Sequence, residues 1–182
     1  MEHINNLLGD LGYDTTNDHL KKTPKRSYNY FKEYTKKTDL DFIQFCSKNN
    51  IKSTQSNSSS QVNISISLDN ISVHSICKHH LLPFYGNVYI SYISKGFVLG
   101  LSKFKRIIDF LSKEFTTQED LTYRIATYIL KILPVKTLYV TLKCVHSCMI
   151  VRGIKDLNST TTTKICLHER DEGIINEIMK DI

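Results

Sequence analysis

Along residues 62–144 the spacing of apolar residues shifts from the period of a strand to that of a helix and back again, and few architectures accommodate that order. Val62, Ile64, Ile66 and Leu68 alternate with Asn63, Ser65, Ser67 and Asp69, as in a half-buried strand. Val88, Ile90 and Tyr92 begin a second alternation, closed by 94–96. Leu101, Phe104, Ile107, Ile108 and Leu111 then form a helical stripe, with Ser102 as candidate N-cap. Thr116 and Glu119 have capping-box spacing and open a further helix through Leu121, Ile125, Ile129 and Ile132, stopped by Pro134. Leu138, Val140, Leu142 and Cys144 alternate once more. Strand, strand, helix, helix, strand predicts an α+β fold with an antiparallel sheet and helices on one face.

Helices are also expected before this region. Ile4, Leu7, Leu8 and Leu11 share one helical face, and Gly12 follows where positive φ would end the helix. Thr23 and Pro24 read as an N-cap and first-turn proline, opening a helix that carries Tyr30, Phe31 and Tyr34. Residues 1–50 form this helical segment and 62–182 the core. Between them 53–61, STQSNSSSQ, holds no apolar residue and reads as a flexible connection within one domain.

A chain of 182 residues supports one core. No apolar run approaches the ~18 residues of a membrane span, and the N-terminus has no basic-then-apolar leader, so a cytoplasmic protein is expected. Its 24 Lys and Arg against 18 Asp and Glu leave +6, which calls for a polyanionic partner: nucleic acid, membrane or a phosphorylated small molecule. There is no Cys-x-x-Cys pair and no aromatic-rich RNA motif, which argues against nucleic acid.

Five cysteines without an export signal are expected to be reduced, and clustered thiols then suggest a metal or catalysis. Cys77, His79 and His80 lie within four residues, and Cys144, His146 and Cys148 alternate along a strand. This donor set suits zinc better than magnesium or calcium, which take oxygen ligands. Two arrangements are open: a closed site with four protein ligands, or three ligands and water with the remaining imidazoles moving protons. Cys144 sits on the inner strand face and reads as a core residue, and Cys46 and Cys166 read as structural.

The segment Ser75-Ile-Cys-Lys-His-His-Leu-Leu-Pro-Phe-Tyr-Gly86 resembles the Cys-Glu-His-His-Leu-Leu-Pro-Phe-x-Gly signature of the GTP cyclohydrolase I family. Leu20-Lys-Lys-Thr-Pro-Lys-Arg26, Gly100-Leu-Ser-Lys103 with Arg106, Gln118-Glu119 with Leu121-Thr122, and Val145-His-Ser-Cys-Met149 with Arg152-Gly153 and the threonines 160–163 resemble its other motifs, in order. The resemblance implies the tunnelling fold and a zinc-dependent hydrolase acting on a cyclic amidine. It would convert GTP to 7,8-dihydroneopterin triphosphate with release of formate, the first step of pterin and folate biosynthesis. By the same resemblance Cys77, His80 and Cys148 hold one zinc ion per subunit, and His79 and His146 transfer protons. Gln118 and Glu119 meet the purine base, and Ser102, Lys103, Arg106, Arg152 and Arg26 bind phosphate. A homodecamer with active sites between subunits is implied, without nucleic acid or membrane.

Lys78 stands where the family pattern has Glu, a change of two charge units beside a ligand thiolate. Reduced but retained activity is the expectation. The alternatives are a catalytically impaired zinc-binding homo-oligomer or another tunnelling-fold relative. A nitrile reductase of that fold needs a nucleophilic cysteine without this zinc triad.

Overall fold

The computed structural model describes residues 1–56 and 64–168. Val62 and Asn63 of the expected first strand, and 57–61 of the serine-rich connection, lie outside the described residues. Two compact units are present, Met1–Lys36 and Lys37–Ile182.

In the first unit α1 (Glu2–Asp10) packs on α2 (Thr23–Lys32). Gly12 follows α1 at φ 81, the left-handed turn expected of it. Thr23 is itself helical and Lys22 takes the cap position without a side-chain bond, so Pro24 occupies the second helical position. Tyr34 lies beyond the end of α2. Arg26 is exposed on α2.

The second unit runs α3 (Asp39–Lys48), β1 (Thr54–Gln55), β2 (Ser65–Cys77), β3 (Leu82–Ser94), β4 (Phe97–Val98), α4 (Leu101–Ser112), β5 (Phe115–Thr116), α5 (Gln118–Ile132), β6 (Val135–His146), α6 (Ser147–Ile150) and β7 (Thr161–His168). Its main sheet has the order β5-β2-β3-β6-β7, antiparallel except for the short parallel pairing of β2 with β5. β1 and β4 pair separately, so the connection already contains a strand at Thr54.

Alternation along the strands sends Phe84, Val88, Ile90, Leu138, Val140, Leu142 and Cys144 to one face. There they meet Phe104, Ile107, Ile108 and Leu111 of α4 and Leu121, Ile125 and Ile129 of α5, all fully buried. Each such side chain contributes about 1.5–3 kcal/mol on burial. The opposite face presents Tyr85, Tyr139, Lys143 and Cys166 to solvent, so the helices lie on one face as expected. Cys166 is therefore no core residue: its Sγ is exposed, 3.0 Å from His168 Nε2. Cys144 is one, and burial pushes its thiol up to about 12.

Three local expectations are corrected. Gly100, not Ser102, precedes the first helical residue of α4, and no side chain caps it. The cap of α5 is Thr117, whose hydroxyl accepts from Asp120 N at 3.0 Å, one residue later than the Thr116–Glu119 box. β6 ends at His146, so Cys148 sits on the helical turn α6 and not on the strand face of Cys144.

Close approach of β3 to β6 requires a glycine. Gly86 pairs with Cys144, and a Cβ there would lie 2.0 Å from the Lys143 carbonyl oxygen.

Candidate active site

β2 delivers Cys77 at its last residue. Two residues earlier the buried Ser75 hydroxyl donates to the carbonyls of Ser112 (2.7 Å) and Glu114 (3.0 Å), fixing the strand end to the α4–β5 junction. The chain then reverses through 78–81, with His80 N and Leu81 N donating to Cys77 O and Leu81 in the left-handed region at φ 54. A branched side chain rarely adopts that conformation, and such backbone strain concentrates at functional sites. The turn holds His79 and His80 on the exposed side. His79 Nδ1 lies 3.8 Å from Cys77 Sγ.

β6 and α6 bring the second set. Donor atoms of Cys77, His146 and Cys148 all lie within 4.8 Å of one another. Two thiolates and an imidazole at that spacing match the chemistry of a zinc centre. His80 is outside this group: its Nε2 accepts from Arg152 Nη1 at 2.6 Å. Arg152 follows α6, and Gly153 at φ 58 turns the chain behind it. Burial, reinforced by Cys77, pushes the Cys148 thiol up; a bound cation would reverse that.

His146 is oriented on two sides. Its ring stacks on the buried Phe84, with centroids 4.9 Å apart and planes 11° apart. Its Nε2 lies 2.8 Å from Gln118 Oε1. Gln118 is 1% exposed, and its Nε2 faces the carbonyls of Leu142 (3.1 Å) and Thr161 (3.0 Å) and the Thr163 hydroxyl (3.1 Å). Those acceptors fix the amide's orientation, so Oε1 accepts from His146 Nε2–H and Nδ1 is the unprotonated nitrogen of the neutral ring. Burial holds the imidazole below its ordinary value, opposed by the Glu119 carboxylate. The Gln118 amide thus serves His146 and the neighbouring strands, while the adjacent Glu119 is exposed.

The expected phosphate cations of α4 stand apart from this cluster. Lys103 Nζ donates to Asn49 O (2.7 Å) and Arg106 Nη1 to Asn49 Oδ1 (3.1 Å). Asn49 caps α3, and its own Nδ2 donates to Phe45 O (2.9 Å). Ser102 is exposed one residue before Lys103.

Sequence reasoning passed over Asn49, and it quoted Phe84 and Thr163 only within motifs, without a role. Thr163 lies in the threonine run, where alternation with Lys164 and Ile165 was the available signal; Asn49 carried none. Among the described residues no helix is long and apolar enough to cross a membrane.

Comparison with known proteins agrees along the whole chain. The family model described as GTP cyclohydrolase I matches residues 1–182. The GTP cyclohydrolase 1 of Wigglesworthia glossinidia brevipalpis is 37% identical over 183 residues, covering 99% of this chain and 82% of that protein. That of Pelagibacter ubique is 34% identical, covering 100% and 88%, and that of Campylobacter curvus 35% identical, covering 88% and 80%. Both chains are matched over most of their length, so the likeness is not confined to a shared motif.

Proposed function

The chain belongs to the GTP cyclohydrolase I family, and from that premise we propose that it converts GTP and water to formate and 7,8-dihydroneopterin triphosphate with one zinc ion per subunit. The observation that carries the reading is the convergence of two thiols, Cys77 and Cys148, with His146 beside them as the proton carrier that Gln118 orients.

Cys77, Cys148 and His80 would hold the metal, His80 exchanging its bond to Arg152 for the ion. When bound, zinc supplies the Lewis acidity that makes water a nucleophile near neutral pH. His146, with Nε2–H committed to Gln118, presents Nδ1 to accept and return a proton, and its burial keeps the ring neutral and ready to do so. His79, on the exposed side of the turn, is the second proton carrier. One imidazole serves the purine nitrogen as the five-membered ring opens, the other the ribose oxygen as the sugar opens, rearranges and closes onto the freed amine. The carboxylate of Glu119 accepts from the amino and imino edge of guanine, with Gln118 beside it on the same helical turn. Ser102, Lys103, Arg106 and Arg152, joined by Arg26 from a neighbouring subunit, bind the triphosphate. The protein is read as one cytoplasmic catalytic domain assembled as a homodecamer, with the product entering pterin and folate synthesis.

Incubation with GTP and zinc, following formate and pterin absorbance, tests this reading. Turnover is expected, and Cys148→Ala should abolish it together with stoichiometric metal. Undiminished turnover in that variant would sink the ligand assignment.

A further inference from the structure

Lys78 Nζ donates to Asp120 Oδ2 at 2.7 Å, across forty-two residues of sequence. One partner lies in the turn between Cys77 and His79, the other in the first turn of α5. The same two segments are already joined in the backbone, since Ile76 and Cys77 pair with Phe115 and Thr116, and Lys78 N donates to Thr116 O at 3.1 Å. The ion pair continues that connection one step further, past the end of the strands.

The first turn of α5 has two working faces. Inward, Gln118 fixes His146; outward, Asp120 receives Lys78 while Thr117 caps its backbone N–H. Whatever sets this turn against the 78–81 turn therefore sets His79 and His80 against His146. The pair also gives the lysine charge a partner. Lys78 is paired with Asp120 at the half-exposed edge of the site, which gives a cation a partner where the family pattern has an acid.

We infer that the Lys78–Asp120 ion pair is a positioning latch that sets the turn bearing His79 and His80 against the helix turn bearing Gln118 and Glu119. Both members are positioning residues that act through their neighbours. The inference rests on the GTP cyclohydrolase reading for its catalytic consequence, and on geometry alone for the latch.

The test is a charge-swap cycle of wild type, Lys78→Glu, Asp120→Lys and the double variant. Formate release would be measured for kcat and KM, and amide hydrogen exchange followed across 77–81 and 118–121. Lys78→Glu sets two carboxylates face to face and should lower kcat about tenfold while KM for GTP stays within about twofold. Asp120→Lys should do the same. The swap should return kcat to within about threefold of wild type and restore exchange protection in both segments. The residual loss reflects a cation in the first turn of α5, where the helix dipole favours an acid. Lys78→Gln, which removes the charge without adding repulsion, should cost only a few-fold and serves if the reversals fold poorly. A double variant no better than the worse single one would overturn the latch. If wild type releases no formate, the functional reading fails, and the exchange cycle still decides whether the two turns are coupled.

Discussion

The sheet-borne cluster and the cations proposed for phosphate on α4 are held by different means. Cys77, His146 and Gln118 sit at the ends of long strands or under them. Each is fixed by ladder bonds, by Ser75 or by buried amide contacts, and Gln118 and Ser75 are 1% and 0% exposed. Lys103 and Arg106 project from a helix toward a single residue, Asn49, at the end of another helix. Proton transfer and metal binding need donor atoms held to fractions of an ångström, whereas a triphosphate is gripped by long flexible cations through a field that tolerates displacement. Gln118 and Ser75 are paired within the protein out of reach of water, whereas Arg106 is open to it.

Substitutions should separate the two groups. Gln118→Leu keeps the volume and removes the acceptor for His146, leaving Thr163 and two carbonyls without their donor. A loss in kcat of about a hundredfold or more is expected, insensitive to salt. Lys103→Ala and Arg106→Ala should each raise KM for GTP about tenfold with kcat nearly retained, and the effect should shrink when salt is raised, as charge contacts open to solvent do. If the Gln118 variant instead showed the salt-dependent KM effect, the division would be wrong. Asn49→Ala removes the side-chain oxygen that Arg106 meets and the amide nitrogen that donates to Phe45 O, while leaving the backbone acceptor of Lys103, and a rise in KM of about threefold is expected.

Smallest is an effect outside both groups. Asp39 accepts from Tyr128 Oη (2.5 Å) and Lys131 Nζ (2.7 Å), joining α3 to α5. Burial pushes its carboxyl up, but the two donors and the Lys131 charge outweigh that, and the net result is below the usual value. A depressed carboxyl stabilises the folded state above its unfolded pKa of about 3.9, and that contribution disappears as pH falls through the lower folded value. Asp39→Asn should therefore lower the melting temperature slightly at pH 7 and flatten its decline in acid. Equal slopes for the two proteins would remove Asp39 from the account.

What was readable in the sequence follows the same physical division. β3, β6, α4 and α5 announce themselves because their burial is one-sided and their apolar residues repeat. β2 is readable only to Asp69, since a register shift between Leu68 and Ile71, with Asn70 at φ 56, breaks the alternation. α3 was missed although Thr38 and Asp41 form a capping box, because its buried face offers little beyond Phe42. β7 was missed because threonines fill inward positions where an apolar residue would have shown the period, and Thr163 is needed there as a partner for Gln118 and Thr122. Cys77, Cys148 and His146 were identifiable from residue type and spacing. That His80 faces Arg152 was not, since one imidazole beside another carries no directional mark in a sequence.

Gly86 adds a constraint on how this molecule can change over generations. It is two residues from Phe84, the ring under His146, and it faces the strand that ends at His146. A side chain of even one carbon would meet the Lys143 carbonyl and force β3 away from β6. Drift at this position is therefore closed by the tolerance of the chemistry two residues away, although Gly86 has no side chain with which to take part in it.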